Sequence, residues 1–246
     1  MQLIGGITIL FLIPFHSLTL PNASHIYLIL IASCIFYAIS DIYDTKARKH
    51  LEVSVMSIMS QLTTVFLISI GLTAFGEPFE MKKALGALLI LCGNVLLFYK
   101  KGSLTLNKYT TIALISIVTV AIAISIDIGI SDQFNLPIYI AITYFLPALI
   151  TVFAKRISRS DITKEFNSPA RKYFLITGIS WAAAIYFSLR AFQFGEVTTI
   201  VPLQGTSVFL NVVIAYFFLH ERENISKKLI AAVCVIIGIV LTVGNQ

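Results

Sequence analysis

Long runs of apolar residues, separated by short polar segments, follow one another along the whole chain. A helix needs about 20 mainly apolar residues to cross a bilayer. The pattern therefore predicts an all-α fold, a polytopic membrane helix bundle, whose first helix is the least regular because Pro14 and His16 interrupt it. The nine predicted spans are residues 3–20, 25–43, 53–75, 83–99, 108–128, 136–154, 172–190, 198–219 and 227–243.

Composition agrees with the membrane class. Hydrophobic residues make up 57% of the 246 positions and charged residues only 12%, about half of the roughly 25% found in soluble domains. A soluble protein of this length could not bury so much apolar surface. We expect the first helix to be retained rather than removed as a signal peptide, because no Lys or Arg precedes it and no clear cleavage motif precedes Pro21.

The basic residues predict the orientation in the membrane. If the nine spans are taken as given, 15 Lys and Arg fall on the side that holds the N-terminus and 3 on the other, which together make the 18 of the chain. Short basic loops stay in the cytoplasm. The chain is therefore predicted to lie in the cell inner (plasma) membrane, with a cytoplasmic N-terminus and an extracytoplasmic C-terminus. The net charge of +6 then reflects loop anchors and not nucleic-acid binding.

The chain also contains a weak internal repeat. A shift of 144 residues aligns the segment from Lys46 with the segment from Arg190, and a shift of 145 aligns the following glycines. Five predicted spans separate each helix from its copy, and an odd number inverts the copy across the membrane, as in many secondary transporters. Residues 1–103 would form a first repeat of four helices and residues 104–246 a second repeat of five. The helix equivalent to 108–128 is missing from the first repeat.

The stretch GEVTTIVPLQGTSVFLNVVIAYFFLHERENISKKLIAAVCVIIGIVLTVG, from Gly195, resembles the last two helices of the drug/metabolite transporter superfamily, in its EamA-like branch. Pro202 early in one helix, Glu221 in the following turn and Gly238 in the small-residue final helix carry the resemblance. It implies ten helices in two inverted repeats, both ends in the cytoplasm, and more often efflux than uptake. This chain departs from that pattern, because it has nine predicted helices and a charge bias that places its C-terminus outside. Either the start is truncated or the chain is a nine-helix variant.

Polar and aromatic residues at membrane depth are the candidate solute-binding groups. Gln204, Ser207 and Asn211 share one face of helix 198–219, and helix 53–75 carries a similar stripe with Ser60 and Gln61. Two interpretations remain open, a polar cavity that holds a solute and hydrogen bonding between packed helices. Three aromatic residues that could line the same cavity, or pack in the core, are Tyr144, Trp181 and Tyr186.

Asp41 and Asp127 are the candidates for ion coupling. Both lie near predicted helix ends, where solvated helix caps are the simpler expectation. If they are buried, they could take up protons during transport. Arg190 and Glu196, which flank a short outside turn, are expected to form an interfacial ion pair. Small residues at positions 86, 93, 231 and 238 are expected to be packing faces, and Asn94 a structural residue.

No catalytic, metal or cofactor motif occurs in the chain, and without a P-loop it cannot drive transport with ATP by itself. The predicted function is secondary transport of a small metabolite by alternating access, and not catalysis. The alternative is a degenerate, non-transporting relative that serves as a binding or assembly subunit. The expected partners are a small solute and the lipid bilayer, with a homodimer left open. The solute, the direction of transport and the coupling ion cannot be read from the sequence.

Overall fold

The fold is given by a computed structural model, which describes residues 2–51, 53–98, 107–207 and 225–243. Every long regular element in these ranges is an α-helix, so the predicted all-α class is confirmed. The helices are α1 (Gln2–Leu10), α2 (Ser24–Arg48), α3 (Val53–Thr73), α4 (Met81–Phe98), α5 (Lys108–Ile130), α6 (Leu136–Lys155), α7 (Arg159–Phe166), α8 (Arg171–Phe192), α9 (Val197–Gly205) and α10 (Ile225–Val243).

Four of the described helices, α2, α5, α6 and α8, are long and apolar enough to cross a membrane. Shorter apolar stretches occupy residues 59–73 of α3 and 233–242 of α10. Large hydrophobic side chains cover the outer surfaces of these helices, for example Phe187, which is 68% exposed. A soluble protein would not leave so many apolar side chains in water, so the polytopic helical bundle is confirmed.

The first predicted span is helical only as far as Leu10. A 3₁₀ turn follows at Ile13–Phe15, and extended backbone begins at His16. Pro14 explains the difference from the predicted helix over 3–20. In a continued helix its ring would clash with the carbonyl group four residues earlier, which belongs to Leu10, and it has no N–H to donate.

The two ends of this broken segment contact opposite ends of α2. The Gln2 side chain donates a hydrogen bond to Asp41 near the end of α2, and the hydroxyl of Tyr27 near its start donates to the carbonyl of Pro21 (3.1 Å). Asp41 and Tyr27 are 14 residues apart in α2, which is about 21 Å at 1.5 Å per residue. Residues 2–21 therefore cover about that distance as helix, turn and extended chain, while α1 itself packs against α6 and α8.

Asn135 satisfies the extended backbone of this segment. Its N–H donates to the carbonyl of Thr19 (2.7 Å) and its side-chain amide to the carbonyl of Ser17 (2.9 Å), while its side-chain oxygen caps the start of α6 by accepting from the N–H of Ile138 (3.1 Å). Unpaired backbone groups are costly at membrane depth. Asn135 thus lowers the cost of burying the backbone carbonyl groups of Ser17 and Thr19.

The loop predicted at residues 155–171 contains the short helix α7. Ser158 and Asp161 cap it reciprocally. The N–H of Asp161 donates to the Ser158 hydroxyl oxygen (3.2 Å), and the N–H of Ser158 donates to the Asp161 carboxylate (3.1 Å). This is a capping box in which Asp replaces the usual Glu, so the polar segment has a local signal for a helix.

The described chain divides into two compact units. The first comprises residues 1–43 and 122–194. Its core is built from α1, α2, α6 and α8, with Tyr139 and Ile140 fully buried beside Leu30 and Ile9. Small residues admit the close approach of helices here, since a side chain at Gly5 would come within 3.2 Å of the carbonyl oxygen of Gly178 on α8.

The second unit comprises residues 44–121 and 195–246. Here α4 and α10 cross in opposite directions with their backbones almost in contact. An added Cβ at Gly238 would lie 2.7 Å from the carbonyl oxygen of Gly86, and one at Gly93 would lie 3.0 Å from that of Ala231. The small-residue stripes predicted as packing faces are confirmed, and they pack on each other.

Candidate functional site

Asp127 forms the most polar buried cluster of the first unit. Its carboxylate accepts hydrogen bonds from the hydroxyl groups of Ser33 (2.6 Å), Tyr139 (2.7 Å) and Tyr37 (2.8 Å). Only 2% of Asp127 is exposed. Three hydroxyl donors on one carboxylate compensate for much of the cost of burying its charge. We call these four residues the carboxylate cluster.

Three helices place the carboxylate cluster. Ser33 and Tyr37 are four residues apart on α2 and so share one helix face. Asp127 lies inside α5, one turn before its end, and Tyr139 lies in the first turn of α6. The expectation that Asp127 is a solvated helix cap is therefore wrong. Its partners on α2 lie about 90 residues away in sequence, so the residues around Asp127 do not predict them.

Asn94 is the centre of a polar cluster in the second unit. Its side-chain amide donates to the side-chain oxygen of Gln61 on α3 (3.1 Å) and to the backbone carbonyl of Gly205 on α9 (3.0 Å). Asn94 is fully buried, and its own side-chain oxygen has no hydrogen-bond partner among the described residues. We call these three residues the amide cluster. The sequence predicts only that Asn94 is a structural residue. In the structure its side chain links α4 to α3 and α9.

Of the helix predicted over 198–219, the structure describes only the residues up to 207. α9 ends at Gly205 and Thr206 is a turn residue. Pro202 lies inside α9 and removes one backbone donor from it. Thr206 keeps helical backbone angles and Ser207 is again helical, so the turn is a local distortion whose carbonyl groups side chains can engage. The Gly205 carbonyl, held by Asn94, is such a group.

Glu77 fixes the other end of α9. Its two carboxylate oxygens accept hydrogen bonds from the backbone N–H groups of Val197 (2.7 Å) and Thr198 (2.9 Å). A carboxylate at a helix N-terminus satisfies otherwise unpaired donors and interacts favourably with the helix dipole. Gly71 leaves room for it, since a Cβ there would lie 3.0 Å from the Glu77 carboxylate. α9 is thus fixed at both ends by side chains from the first half of the chain.

The amide candidates fall around the amide cluster. Gln61 is half-buried and belongs to it, and its neighbour Ser60 is exposed on α3. Gln204 and Ser207 are exposed at the end of α9 and just after it. Asn211 lies outside the described residues.

The three aromatic candidates lie in the first unit but in different surroundings. Tyr144 is buried, and its hydroxyl has no partner among the described residues. Tyr186 shares a hydrogen bond with the ring of His16 (2.8 Å), which ties α8 to the extended segment. Trp181 is 60% exposed on the surface of α8. They do not form one aromatic wall within this unit.

The remaining charged candidates have partners close to helix ends. Asp41, half-buried, accepts a hydrogen bond from Gln2. Glu196 binds the buried Lys83 (2.6 Å), and Arg190 donates to Gln193 (2.7 Å). The expected pairing of Arg190 with Glu196 is therefore replaced by these two contacts. Within the described ranges, no three His, Cys, Asp or Glu side chains come close enough together to hold a metal ion.

Both clusters suit the handling of a polar group in an apolar setting. The carboxylate cluster can hold or release a proton, because its three hydroxyl groups can reorient as the carboxyl changes its charge. The amide cluster presents amide and carbonyl groups where α9 is followed by a turn residue. Buried polar groups are costly in a membrane bundle unless hydrogen bonds compensate for their burial.

Comparisons with known proteins give the family and the fold of the chain. Residues 104–246 match the family profile SLC35F, solute carrier family 35. A solved structure titled only "Crystal structure of protein" superposes with a TM-score of 0.74 over 98% of this chain and 85% of that one, at 15% sequence identity. That likeness concerns the fold alone. A search of curated proteins finds no match.

The matched segment covers more than half of the 246 residues and includes α5 to α10. Solute carrier family 35 lies within the drug/metabolite transporter superfamily, so the resemblance drawn from Pro202, Glu221 and Gly238 is confirmed at that level. The buried polar clusters in an apolar helix bundle fit the same assignment. The chain therefore belongs to solute carrier family 35 and is a membrane transporter of a small solute.

Proposed function

We propose that the chain is a secondary carrier that exports a small metabolite by alternating access between two inverted repeats, residues 1–103 and 104–246. The observation that carries this proposal is the amide cluster, in which Asn94 joins Gln61 to the carbonyl of Gly205 at the end of α9. Carriers commonly bind solutes where a membrane helix is interrupted, at the interface of two repeats. Gln61 and Asn94 come from the first proposed repeat and Gly205 from the second.

The crossing of α4 and α10 supports the inverted repeats. The sequence shift of 145 equates Gly86 with Ala231 and Gly93 with Gly238. In the structure Gly86 approaches Gly238 and Gly93 approaches Ala231. If each residue is replaced by its repeat equivalent, the contact of Gly86 with Gly238 becomes the contact of Ala231 with Gly93. This is the pattern expected of two helices related by a twofold axis in the membrane plane.

The solute site is proposed to comprise Gln61, Ser60, Gln204, Ser207 and Asn211. Amide and hydroxyl groups can both donate and accept hydrogen bonds, so an uncharged or zwitterionic metabolite suits the set. Asp127 is the proposed coupling residue, because its carboxylate is buried and three hydroxyl groups surround it. Asp41 remains a second candidate.

Gln204→Leu is expected to abolish transport while the protein still folds and inserts. The Gln204 side chain is exposed where α9 ends, so its replacement removes a solute contact and no packed core. The purified protein would be screened by thermal shift with amino acids, nucleosides and amphiphilic cations, since a bound ligand raises the melting temperature. Transport of the radiolabelled hit into proteoliposomes would then be compared between wild type and variant.

Two further variants make this test specific. Gln133→Leu changes an exposed amide on the turn before α6 and should leave transport intact. Asn94→Leu removes two buried hydrogen bonds and should lower the stability by about 1–3 kcal/mol. If Gln204→Leu transports normally per folded molecule, the solute site is misplaced. Absence of any transported hit would favour the non-transporting alternative.

The C-terminus is expected to lie outside the cytoplasm and the N-terminus inside, because 15 of the 18 Lys and Arg residues fall on one predicted side. Alkaline phosphatase fused after Gln246 should be active in intact cells, since it folds only outside the cytoplasm. Green fluorescent protein at the same position should be dark. A fluorescent fusion would reverse the proposed orientation of this end.

A further inference from the structure

A groove of about 700 Å³ opens on the first unit beside the short helix α7. Its walls are apolar and come from the start of α1 (Leu3, Ile4), from α7 (Ile162, Phe166) and from the start of α8 (Phe174, Leu175). Phe166 is 52% exposed and Leu175 44%. An apolar groove of this size is large enough for a ligand of several dozen atoms.

The chain segment that contributes α7 to the groove is strongly basic. Residues 155–172 carry six Lys or Arg and two acidic residues, a net charge of +4. Arg171 lines the groove itself. No hydrogen bond or ion pair engages its guanidinium among the described side chains.

Asp161, the acidic residue on the rim, is already satisfied. It accepts two hydrogen bonds from Ser158, through the backbone N–H (3.1 Å) and the hydroxyl (2.7 Å). These bonds hold the pKa of the Asp161 carboxyl below its usual value, so it stays ionised and engaged with Ser158. It therefore does not neutralise Arg171. Asn167 adds a neutral polar group to the same rim.

We propose that this groove binds one anionic phospholipid, with an acyl chain between α1 and α8 and the phosphate group on Arg171. Two independent features select this ligand. The apolar walls are open to the surface of a membrane-embedded unit, where acyl chains are the surrounding solvent. The basic segment that contributes α7 lies on the side of the chain that carries most of its basic residues, and basic pockets between membrane helices bind anionic headgroups there.

The other occupants fit less well. A soluble phosphate or sulfate would use Arg171 but make no use of the apolar walls. A zwitterionic phospholipid would fill the walls but gain little from the net charge of +4 on residues 155–172. The proposal does not depend on transport, so it can fail while the carrier function stands, and the reverse also holds.

The test is lipid binding by the full-length protein in a neutral detergent. Native mass spectrometry would measure the affinity for phosphatidylglycerol, and for phosphatidylcholine as the zwitterionic comparison. Arg171→Gln should weaken phosphatidylglycerol binding about fivefold, the effect of one basic residue at an anionic headgroup. Lys172→Gln removes the same charge one residue away, outside the groove, and should change the affinity less than about twofold.

A second pair of variants tests the acyl-chain half of the site. Ile4→Trp fills the groove and should abolish binding of the single tightly held lipid, whereas Ile7→Trp adds the same bulk on the exposed face of α1 and should not. Affinity is compared only among molecules that remain folded by size-exclusion chromatography, and Arg171→Lys, which keeps the charge, should bind within about twofold of wild type.

Three results would overturn the proposal. Equal losses in Arg171→Gln and Lys172→Gln would indicate general surface charge instead of a site. Equal affinity for phosphatidylcholine would show that the headgroup is not recognised. Displacement of the lipid by glycerol phosphate alone, at similar concentration, would show that the groove takes a soluble anion and not a lipid.

Discussion

Gly238→Ala should destabilise the second unit by about 2–3 kcal/mol, the usual range for forced overpacking. The added methyl group would lie 2.6 Å from Cγ1 of Ile90 and 2.7 Å from the carbonyl oxygen of Gly86. The carbonyl belongs to the backbone of α4, which cannot turn aside as a flexible side chain could. α4 and α10 would have to separate, and the packing between their small-residue stripes would be lost along the crossing.

Val240→Ile is the matched control for this prediction. It adds one methyl group to the same helix at a position that is 64% exposed, and it should leave stability within about 0.5 kcal/mol of wild type. Unfolding in detergent, followed by circular dichroism with increasing denaturant, would measure both variants. If Gly238→Ala and Val240→Ile unfold together, α4 and α10 do not cross as closely as described.

Asp127→Asn should reduce transport driven by a proton gradient to the level of empty liposomes while it leaves gradient-free exchange of solute running. The amide has nearly the shape of the carboxylate, so the hydroxyl groups of Ser33, Tyr37 and Tyr139 keep a neighbour of the same size. It cannot bind and release a proton, however. A residue that couples proton movement to solute movement is needed for the driven reaction and not for exchange.

Asp132→Asn provides the control, because Asp132 is an exposed acid on the turn directly after α5. Both variants would be reconstituted and assayed for driven transport and for exchange of the solute identified by thermal shift. Loss of both reactions in Asp127→Asn, with normal folding, would give Asp127 a role in solute binding. Unchanged driven transport would remove it from the coupling mechanism.

The helices of this chain were largely predictable because membrane helices are encoded by local composition. Runs of apolar residues predicted α2, α5, α6 and α8 closely. Deviations arose where one residue decides the backbone. Pro14 ends α1 at Leu10. In the polar segment after α6 the capping pair of Ser158 and Asp161 starts a helix that hydropathy alone does not reveal.

The polar clusters were predictable only in part, since their partners come from distant segments. The stripes pointed to Gln61 and Gln204, but Asn94 appeared as a single polar residue in an apolar helix. Its importance arises from contacts with α3 and α9, which are 33 and 111 residues away. Ser33 and Tyr37 did carry a signal, because they share a face of α2. The role of that face is clear only from the structure, in which Asp127 on α5 accepts hydrogen bonds from both residues.

The interleaving of the two units has a consequence for synthesis of the chain. The first unit is complete once residue 194 has been made, but the second needs segments from both 44–121 and 195–246. α4 ends at Phe98 and its partner α10 at Val243, so 145 residues separate them, roughly 7–30 s of translation at 5–20 residues per second. During that interval the glycine face of α4 lies in the bilayer without the helix that covers it. Membrane insertion factors and proteases therefore encounter a second unit that is only partly synthesised at a time when the first unit is complete.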